Sequence, residues 1–386
     1  MDRIYLDHAA TTPIHPEVVK AMLPYLESRF GNPSSLHSFG LEAARGVAVA
    51  REAVAALLNA RPEEIVFTGG GSEADNTALF GIAAARERKG DHLITSAIEH
   101  HAVLHSCEQL EKRGKRVTYL PVDKHGLVDP ADVERAITDK TILVSIMHAN
   151  NEIGTIEPIA EIGAICRERG VLFHTDAVQT FGHVPIDVQA MNVDLLSLSA
   201  HKLYGPKGVG ALYVRKGVRI TPLIFGGGHE GGRRSGTENV AGIVGLGKAC
   251  ELARQEMDRE KAHLDLLRAR LLQGLMEKVE DLILTGHPER RLPNSVSICV
   301  RYVEGESMLL NLDLKGIAAS SGSACTSGSL EASHVLLAIG LPHEVAHGSL
   351  RLTLGRDNTP QEIERFLEVF PPIVAKLREI SPLRKG

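Results

Sequence analysis

The sequence lacks a long apolar run and a strong excess of either charge. No apolar segment approaches the length that spans a membrane. The first residues, MDRIYLDHAATT, also lack the charged-then-apolar pattern of a signal peptide. The net charge of -5 over 386 residues does not indicate a general surface for nucleic acid or membranes. We therefore predict a cytoplasmic protein that binds neither nucleic acid nor membrane.

Cysteines are few, odd in number and without a CxxC pair, so neither a disulfide framework nor a cysteine zinc site is expected. Four of the five lie in apolar or helical surroundings typical of small buried side chains, namely Cys107, Cys166, Cys250 and Cys299. Cys325 differs, because it lies in ASSGSACTSGS, where no apolar neighbour could form a core around it.

Residues 64–216 alternate between short apolar runs and helical patterns. The runs are nearly continuous, as expected for strands covered on both faces, and occupy residues 64–69, 92–98, 116–122, 141–149, 171–177, 194–199 and 208–215. Helical patterns separate several of them, at residues 72–90, 102–114, 129–138 and 159–170. This alternation predicts an α/β domain with a mostly parallel sheet.

The chain is long for a single core, which favours two domains. Residues 240–280 have a helical pattern that suits either one connecting helix or a helix pair. Two predicted strands, at RLPNSVSICVRYV and GSLRLTLG, and two further helical segments follow. The C-terminal part therefore predicts a smaller α+β domain.

Polar residues follow five of the predicted strands. They are Gly-Gly-Ser at 70–72, Glu-His-His at 99–101, Asn-Asn-Glu at 150–152, Asp176 with Gln179, and Ser-Ala-His-Lys at 199–202. Ligands bind beyond the carboxyl ends of parallel strands, where such residues meet at one edge of the sheet. The pattern predicts a single site at this edge.

Three of these groups indicate the kind of ligand. Residues 69–72, GGGS before a helix, suit a phosphate, although the P-loop and Rossmann spacings are absent. Lys202 at the mouth of a strand can form a Schiff base, and Asp176 at the end of an apolar strand needs a cationic partner such as a protonated pyridine nitrogen. Each also fits a structural role alone, but the set indicates a pyridoxal 5′-phosphate (PLP) site.

The chain resembles the NifS/IscS-type cysteine desulfurases, which are similar to the aminotransferases of PLP fold type I. The resemblance covers the whole length and is carried by YLDHAATTP, GNPSSLHSFG, FTGGGSEADN, IEHHAVL, ANNEIGT, FHTDAVQ, SLSAHKLYGPKGVG, GRRSGTEN, SSGSACTSG and SLRLTLGR. It implies a large PLP-binding domain with a seven-stranded sheet at residues 16–257. Residues 1–15 and 258–386 would form the small domain, which would carry Cys325 on a mobile loop.

The resemblance also implies roles for the catalytic residues. Lys202 would bind PLP covalently and move protons, and His100 would lie over the pyridine ring and assist the acid–base steps. Cys325 would attack the sulfur of the substrate and carry it as a persulfide, a task that suits a light Ser/Gly-rich loop. No metal ion is expected, although Cys325 is a candidate for transient iron–sulfur ligation.

Further residues would bind the cofactor and the substrate. Asp176 would pair with the ring nitrogen, while Gln179 and Asn151 would contact the region of the ring hydroxyl. Arg351 would grip the substrate carboxylate in a bidentate manner, with help from Asn32. The phosphate would be held by Gly71, Ser72, Ser199 and His201, and by Thr237 of the neighbouring subunit, which implies a homodimer.

The implied activity is conversion of L-cysteine to L-alanine, with the sulfur passed to an iron–sulfur scaffold or another acceptor protein. A selenocysteine lyase or an aminotransferase on the same fold is the alternative. A non-catalytic iron–sulfur or metal carrier that uses Cys325 is a further alternative. The HExxH match at residues 343–347 resembles a zinc-protease motif, but Pro342 and Gly348 confine it to about one helical turn, and no histidine follows it.

Overall fold

The computed structural model describes residues 3–321 and 332–381, so Cys325 lies outside the described residues. The strands are β1 Ile4–Tyr5, β2 Ile65–Thr68, β3 His92–Ser96, β4 Arg116–Leu120, β5 Thr141–Ser145, β6 Leu172–Asp176, β7 Leu195–Ser199, β8 Gly210–Val214, β9 Leu282–Leu284, β10 Ser295–Val300, β11 Ile317–Ala318 and β12 Ser349–Thr353. The helices are α1 Pro16–Glu27, α2 Ser38–Leu58, α3 Gly71–Ala85, α4 His101–Lys112, α5 Pro130–Ala136, α6 Ile159–Arg169, α7 Val240–Lys278, α8 Gly305–Asp313, α9 His334–Ala338, α10 His343–Ala346 and α11 Pro360–Ile380.

A seven-stranded sheet has the order β2-β8-β7-β6-β5-β3-β4. Strand β8 is antiparallel to both of its neighbours, and the other pairs are parallel. Two buried apolar clusters cover its two faces. Each of the seven apolar runs forms one strand, so the prediction of a mostly parallel α/β sheet is confirmed.

A second core lies around the three-stranded sheet β9-β10-β12 and the short parallel pair of β1 with β11. Its apolar side chains come from Ile4 and Leu6, from the C-terminal half of α7, and from α8 and α11. The predicted domain limits at residues 16 and 257 stay a prediction, because α7 runs through both cores without a break.

Helix α7 has 39 residues, so residues 240–280 form one connecting helix rather than a helix pair. Its early residues Ile243, Leu246 and Cys250 pack in the core of the seven-stranded sheet, whereas Leu264 and Leu271 pack in the second core. No helix in the described part of the chain combines the length and apolarity that crossing a bilayer requires.

The N-terminal segment links the second core to the edge of the large sheet. The amide of His8 donates to the carbonyl of Thr353 on β12, and the amide of Thr12 donates to the carbonyl of His201 after β7. Residues 7–12 therefore lie between Arg351 on β12 and Lys202 beyond β7, where the site is built.

Candidate active site

A cavity of about 470 Å³ opens at the edge of the large sheet, beyond the carboxyl ends of its parallel strands. It is the place where polar strand ends were expected to converge. Of the predicted cofactor, catalytic and substrate residues, those that line it are Gly71, Ser72, His100, Asn151, Asp176, Gln179, Ser199, His201, Lys202 and Arg351. The cavity therefore brings together residues that are up to 280 positions apart in the sequence.

Two predicted residues lie elsewhere in this chain. Thr237 lines a separate cavity of about 110 Å³, beside Gly69 and Arg234. Asn32 is exposed, and its Oδ1 accepts a hydrogen bond from the amide of Ser34 at 3.0 Å. Their expected roles, toward a partner's phosphate and toward the substrate, stay predictions.

The start of α3 fits a phosphate group. Gly70 has a φ of 150°, which side-chain-bearing residues rarely adopt, and α3 begins at the next residue. A Cβ on Gly71 would approach Val178 Cγ2 to 2.7 Å, so the backbone is accessible only because the residue is glycine. The first amides of a helix have no partner within the helix and carry partial positive charge, which favours an anion beside Ser72.

Lys202 projects its amine toward the N-terminal segment. Its Nζ donates to the carbonyl oxygen of Ala10 at 2.8 Å and also to that of Ala9. Gln179 donates to the same Ala9 carbonyl at 3.1 Å. The backbone of residues 9–10 therefore fixes the amine inside the cavity, where it can react with an aldehyde.

Two buried carboxyl groups lie beneath the cavity. Asp176 ends β6, and its Oδ1 accepts from the amide of Val178 at 2.9 Å. Burial raises the pKa of Asp176 to about 6, against the opposing effect of Lys202. Burial, and then the charge of Asp176, raise the pKa of Asp75 well above its usual value. Such a pair calls for a cationic or protonated partner, and the protonated nitrogen of a pyridine ring meets that need.

His174 lies beside Asp75, the second member of this pair. Its Nδ1 lies 2.8 Å from Ser145 Oγ, its Nε2 lies 3.0 Å from Ser197 Oγ, and Nε2 is 3.7 Å from Asp75 Oδ1. Burial lowers the pKa of His174 to about 3, so its ring is neutral at physiological pH. Asp75 Oδ1 has no hydrogen-bond partner among the described residues, which leaves an acceptor beneath the cavity.

His100 is the N-cap of α4, and its Nδ1 accepts from the amide of Ala102 at 3.1 Å. Burial, assisted by the charge of Lys202, lowers the pKa of His100 to about 4. The ring is therefore neutral near pH 7, and the hydrogen bond at Nδ1 places its proton on Nε2. His100 can thus exchange a proton at Nε2 without holding a permanent charge in the cavity.

Arg351 is 2% exposed, yet it lines the cavity. Its Nη1 donates to the carbonyl of Asn151 at 3.0 Å, and its Nη2 pairs with Asp7 Oδ1 at 3.0 Å. Nε has no hydrogen-bond partner among the described residues. A guanidinium that lines the cavity and has used only two of its five N–H groups in these bonds suits the carboxylate of a small substrate.

Two residues that line the cavity, Asp7 and Asp75, and the buried Glu99 were given no role from the sequence. Asp7 and Asp75 lie within YLDHAATTP and FTGGGSEADN, which carried the family resemblance, but no local pattern distinguished them from surface acids. Glu99 belongs to the polar triplet that follows β3. Only the fold shows that Asp75 and Glu99 are buried and that Asp7 pairs with Arg351.

The buried carboxyl group of Glu99 leads to a prediction for the way the free energy of unfolding depends on pH. It is fully buried, and its Oε1 accepts from Ser96 Oγ and from the amide of Met147. Burial raises the pKa of Glu99 to about 8. A carboxyl group of this kind contributes stability below its unfolded pKa of about 4.3 and loses that contribution as the pH rises through its folded pKa. We expect Glu99→Gln to gain stability over the wild type between pH 5 and 8, by up to about 1.4 kcal/mol per pH unit.

The measurement is urea unfolding of the wild type and of Glu99→Gln at a series of pH values. Glu108→Gln is the matched control, because Glu108 is exposed about two turns into α4. Parallel stability curves for the wild type and Glu99→Gln would contradict the buried, neutral state of Glu99.

The fold and the cavity define a class of protein: a PLP-dependent enzyme of fold type I, whose residues fit the phosphate, the aldehyde and the pyridine nitrogen of the cofactor. Comparison with known proteins agrees. Residues 4–366 match the family model described as aminotransferase class-V. The chain belongs to the class-V aminotransferase family, and its resemblance to the cysteine desulfurases of that family is confirmed by the relatives that follow.

A curated relative from Clostridium botulinum (strain Hall), named cysteine desulfurase IscS, is 58% identical over 383 residues, which is 99% of this chain and 96% of the relative. A solved structure described as a NifS-like protein has a TM-score of 0.92 at 39% identity and covers 97% of this chain and 100% of its own. A third, titled SspA in complex with cysteine, has a TM-score of 0.81 at 38% identity, covering 92% of this chain and 100% of its own.

Proposed function

We propose that this chain is a PLP-dependent cysteine desulfurase that converts L-cysteine to L-alanine. The observation that most supports this proposal is that one cavity is lined by Lys202, His100, Asp176 and Arg351. The chain that contains it is 58% identical to a protein named cysteine desulfurase IscS. The reaction balances as L-cysteine plus the Cys325 thiol giving L-alanine plus a Cys325 persulfide, so no external oxidant is needed.

Different residues that line the cavity would bind different parts of the cofactor. Gly71 and Ser72 at the start of α3, with Ser199 and His201, would hold the phosphate of PLP, and Asp176 would pair with its ring nitrogen. When bound, PLP supplies an electron sink for the bond that breaks at the substrate α-carbon.

The proton transfers belong to two side chains. Lys202, held at its Nζ by the carbonyls of Ala9 and Ala10, can take a proton from the substrate and return it. His100 exchanges its proton at Nε2, while Arg351 holds the substrate carboxylate. The Cys325 thiolate takes the sulfur, and the substrate leaves as alanine.

The sulfur on Cys325 is proposed to pass to an iron–sulfur scaffold or to another acceptor protein in the cytoplasm. The four described cysteines support a reducing location, since each is a free, buried thiol: Cys107, Cys166, Cys250 and Cys299. The HExxH match does not suggest a metalloprotease. Helix α10 has four residues, and the described residues contain no group of three or more His, Cys, Asp or Glu side chains placed to hold a metal.

A homodimer is part of the proposal. Large apolar side chains are exposed on α2, on the segments that flank it, and before Thr237, and they include Phe30 at 70%, Leu36 at 93%, Phe39 at 50% and Phe225 at 79%. The rings of Phe30 and Phe39 lie 5.6 Å apart, and large exposed apolar side chains of this kind are typical of interaction surfaces, so burial against a second copy is expected. Thr237 would then reach the phosphate in the partner's cavity.

We expect Thr237→Ala to weaken PLP binding about tenfold, because a phosphate loses one hydrogen bond. The measurement is the dissociation constant of PLP from the dimer, followed by its absorption. Thr237→Ser retains the hydroxyl and serves as the control. Unchanged affinity in Thr237→Ala would contradict the contact across the interface.

The function itself is tested by mass spectrometry of the Cys325 peptide after brief incubation with L-cysteine, with alanine assayed in the same tube. A peptide heavier by one sulfur, formed together with alanine, is expected. Alanine without the added sulfur would remove Cys325 from its role. Neither product, in protein that shows PLP absorption, would favour an aminotransferase.

A further inference from the structure

The guanidinium of Arg351 already has a carboxylate beside it. Asp7 Oδ1 lies 3.0 Å from Nη2, and Nη1 donates one of its two N–H groups to the carbonyl of Asn151. The described residues leave Nε without a partner. A substrate carboxylate that binds the remaining N–H groups of this guanidinium would lie close to Asp7, because both residues line the cavity, and two like charges would have to share one arginine.

Asp7 is placed to contact the same ligand as Arg351. Its side chain is 18% exposed, against 3% for Arg351, and both residues line the cavity. Two and three residues further on, the carbonyls of Ala9 and Ala10 accept from Nζ of Lys202. One short stretch of backbone therefore extends from the arginine that takes a carboxylate to the amine that carries out the chemistry.

The chemistry of an α-amino acid explains an acid at this position. At neutral pH such a substrate carries a carboxylate and an ammonium group on one carbon. If the carboxylate binds Arg351, the ammonium group lies next to the guanidinium, where a neighbouring carboxylate would compensate its charge. The other acids among the described lining residues are Asp75 and Asp176, which face each other's charge at the end of β6 and the start of α3, away from Arg351 on β12.

We propose that Asp7 binds the α-ammonium group of the incoming substrate while Arg351 binds its carboxylate, so that the Asp7–Arg351 pair recognises the zwitterion. This inference rests on the proposed function for the identity of the substrate, L-cysteine. Asp7 thereby favours free α-amino acids over carboxylates that lack the amine, because without an ammonium group its charge repels the carboxylate at Arg351.

The test uses the holoenzyme and two ligands, L-alanine and propionate, which differ only in the ammonium group. Dissociation constants are taken from the rise of the unfolding temperature with ligand concentration, which needs no turnover. Competitive inhibition of L-cysteine desulfurisation is measured in parallel. The variants are Asp7→Asn and the control Asp139→Asn, whose carboxylate is 83% exposed and remote from the cavity lining.

We expect Asp7→Asn to weaken the binding of alanine about tenfold and to leave the binding of propionate unchanged or tighter. The KM for L-cysteine should rise by a similar factor, with a smaller change in kcat. Asp139→Asn should match the wild type. Equal weakening of alanine and propionate would overturn the proposal, since Asp7 would then only position Arg351. No change in either ligand, or a wild type that binds propionate as tightly as alanine, would also overturn it.

Failure of the proposed function and failure of the variant to fold can each be distinguished from failure of the Asp7 proposal. A wild type that forms no persulfide, together with an Asp7→Asn variant that still weakens the binding of alanine and not of propionate, would contradict the proposed function and leave the Asp7 inference standing. If Asp7→Asn does not fold, Asp7→Ser removes the same charge with a smaller side chain. It is expected to show the same selective loss of alanine.

Discussion

Replacement of Lys202 by alanine is expected to lower the rate of L-cysteine desulfurisation by about 10³-fold or more. Lys202 is the one lysine among the described residues that line the cavity, so no neighbouring amine can replace it. Its Nζ is held by two backbone carbonyls of the N-terminal segment, which gives the amine a fixed position. The variant loses both the covalent attachment of the cofactor and the group that moves the proton.

The measurement is alanine formation in a single turnover, together with the absorption spectrum of the purified variant. Lys207→Ala is the matched control, because Lys207 is exposed five residues later on the same loop. We expect the control to retain wild-type activity. A Lys202→Ala enzyme with more than a tenth of wild-type activity would argue against Lys202 as the catalytic amine.

Replacement of Cys325 by serine is expected to abolish persulfide formation and to lower alanine formation from L-cysteine by about 10²-fold or more. The described cysteines cannot substitute for it. Burial raises the pKa of Cys107, Cys166 and Cys299 to about 12, and burial also raises the pKa of Cys250. At neutral pH these thiols hold almost no thiolate, which is the nucleophilic form.

The assay follows alanine and the sulfur on the enzyme in parallel, with Cys166→Ala as the control from the buried set. Selenocysteine provides a second substrate. A selenocysteine lyase would keep releasing selenium in Cys325→Ser, whereas a desulfurase that depends on the thiol would not act on L-cysteine. Normal desulfurisation by Cys325→Ser would show that another group receives the sulfur.

The sequence alone predicted the large sheet because its strands are local. Six of the seven runs bury every residue of their strands, so the run of apolar residues is itself the signal, whereas the edge strand β4 is partly exposed. Asp176, Lys202 and Gln179 were found for the same reason. They follow such runs, and parallel strands bring their carboxyl ends to one edge.

Residues 240–280 show where local patterns stop being sufficient. A helical pattern of this length fits one helix or two, and the choice depends on which cores its two halves contact. Packing of Leu246 against one core and of Leu271 against the other favours an unbroken helix. The packing of the two halves of α7 against two cores decides between one helix and two, and this packing cannot be read from the local sequence.

The sequence by itself determined the seven strands of the large sheet, their order along the chain and the residues at their ends. Only the tertiary structure decided that Asp7 lies on Arg351, 344 residues away, and that Asp75 lies in a buried pair with Asp176. The physical reason is the distance along the chain over which each kind of interaction acts. Strand and helix patterns act over a few residues, whereas the charge of a side chain in the site depends on groups brought near it by the packing of two separate cores.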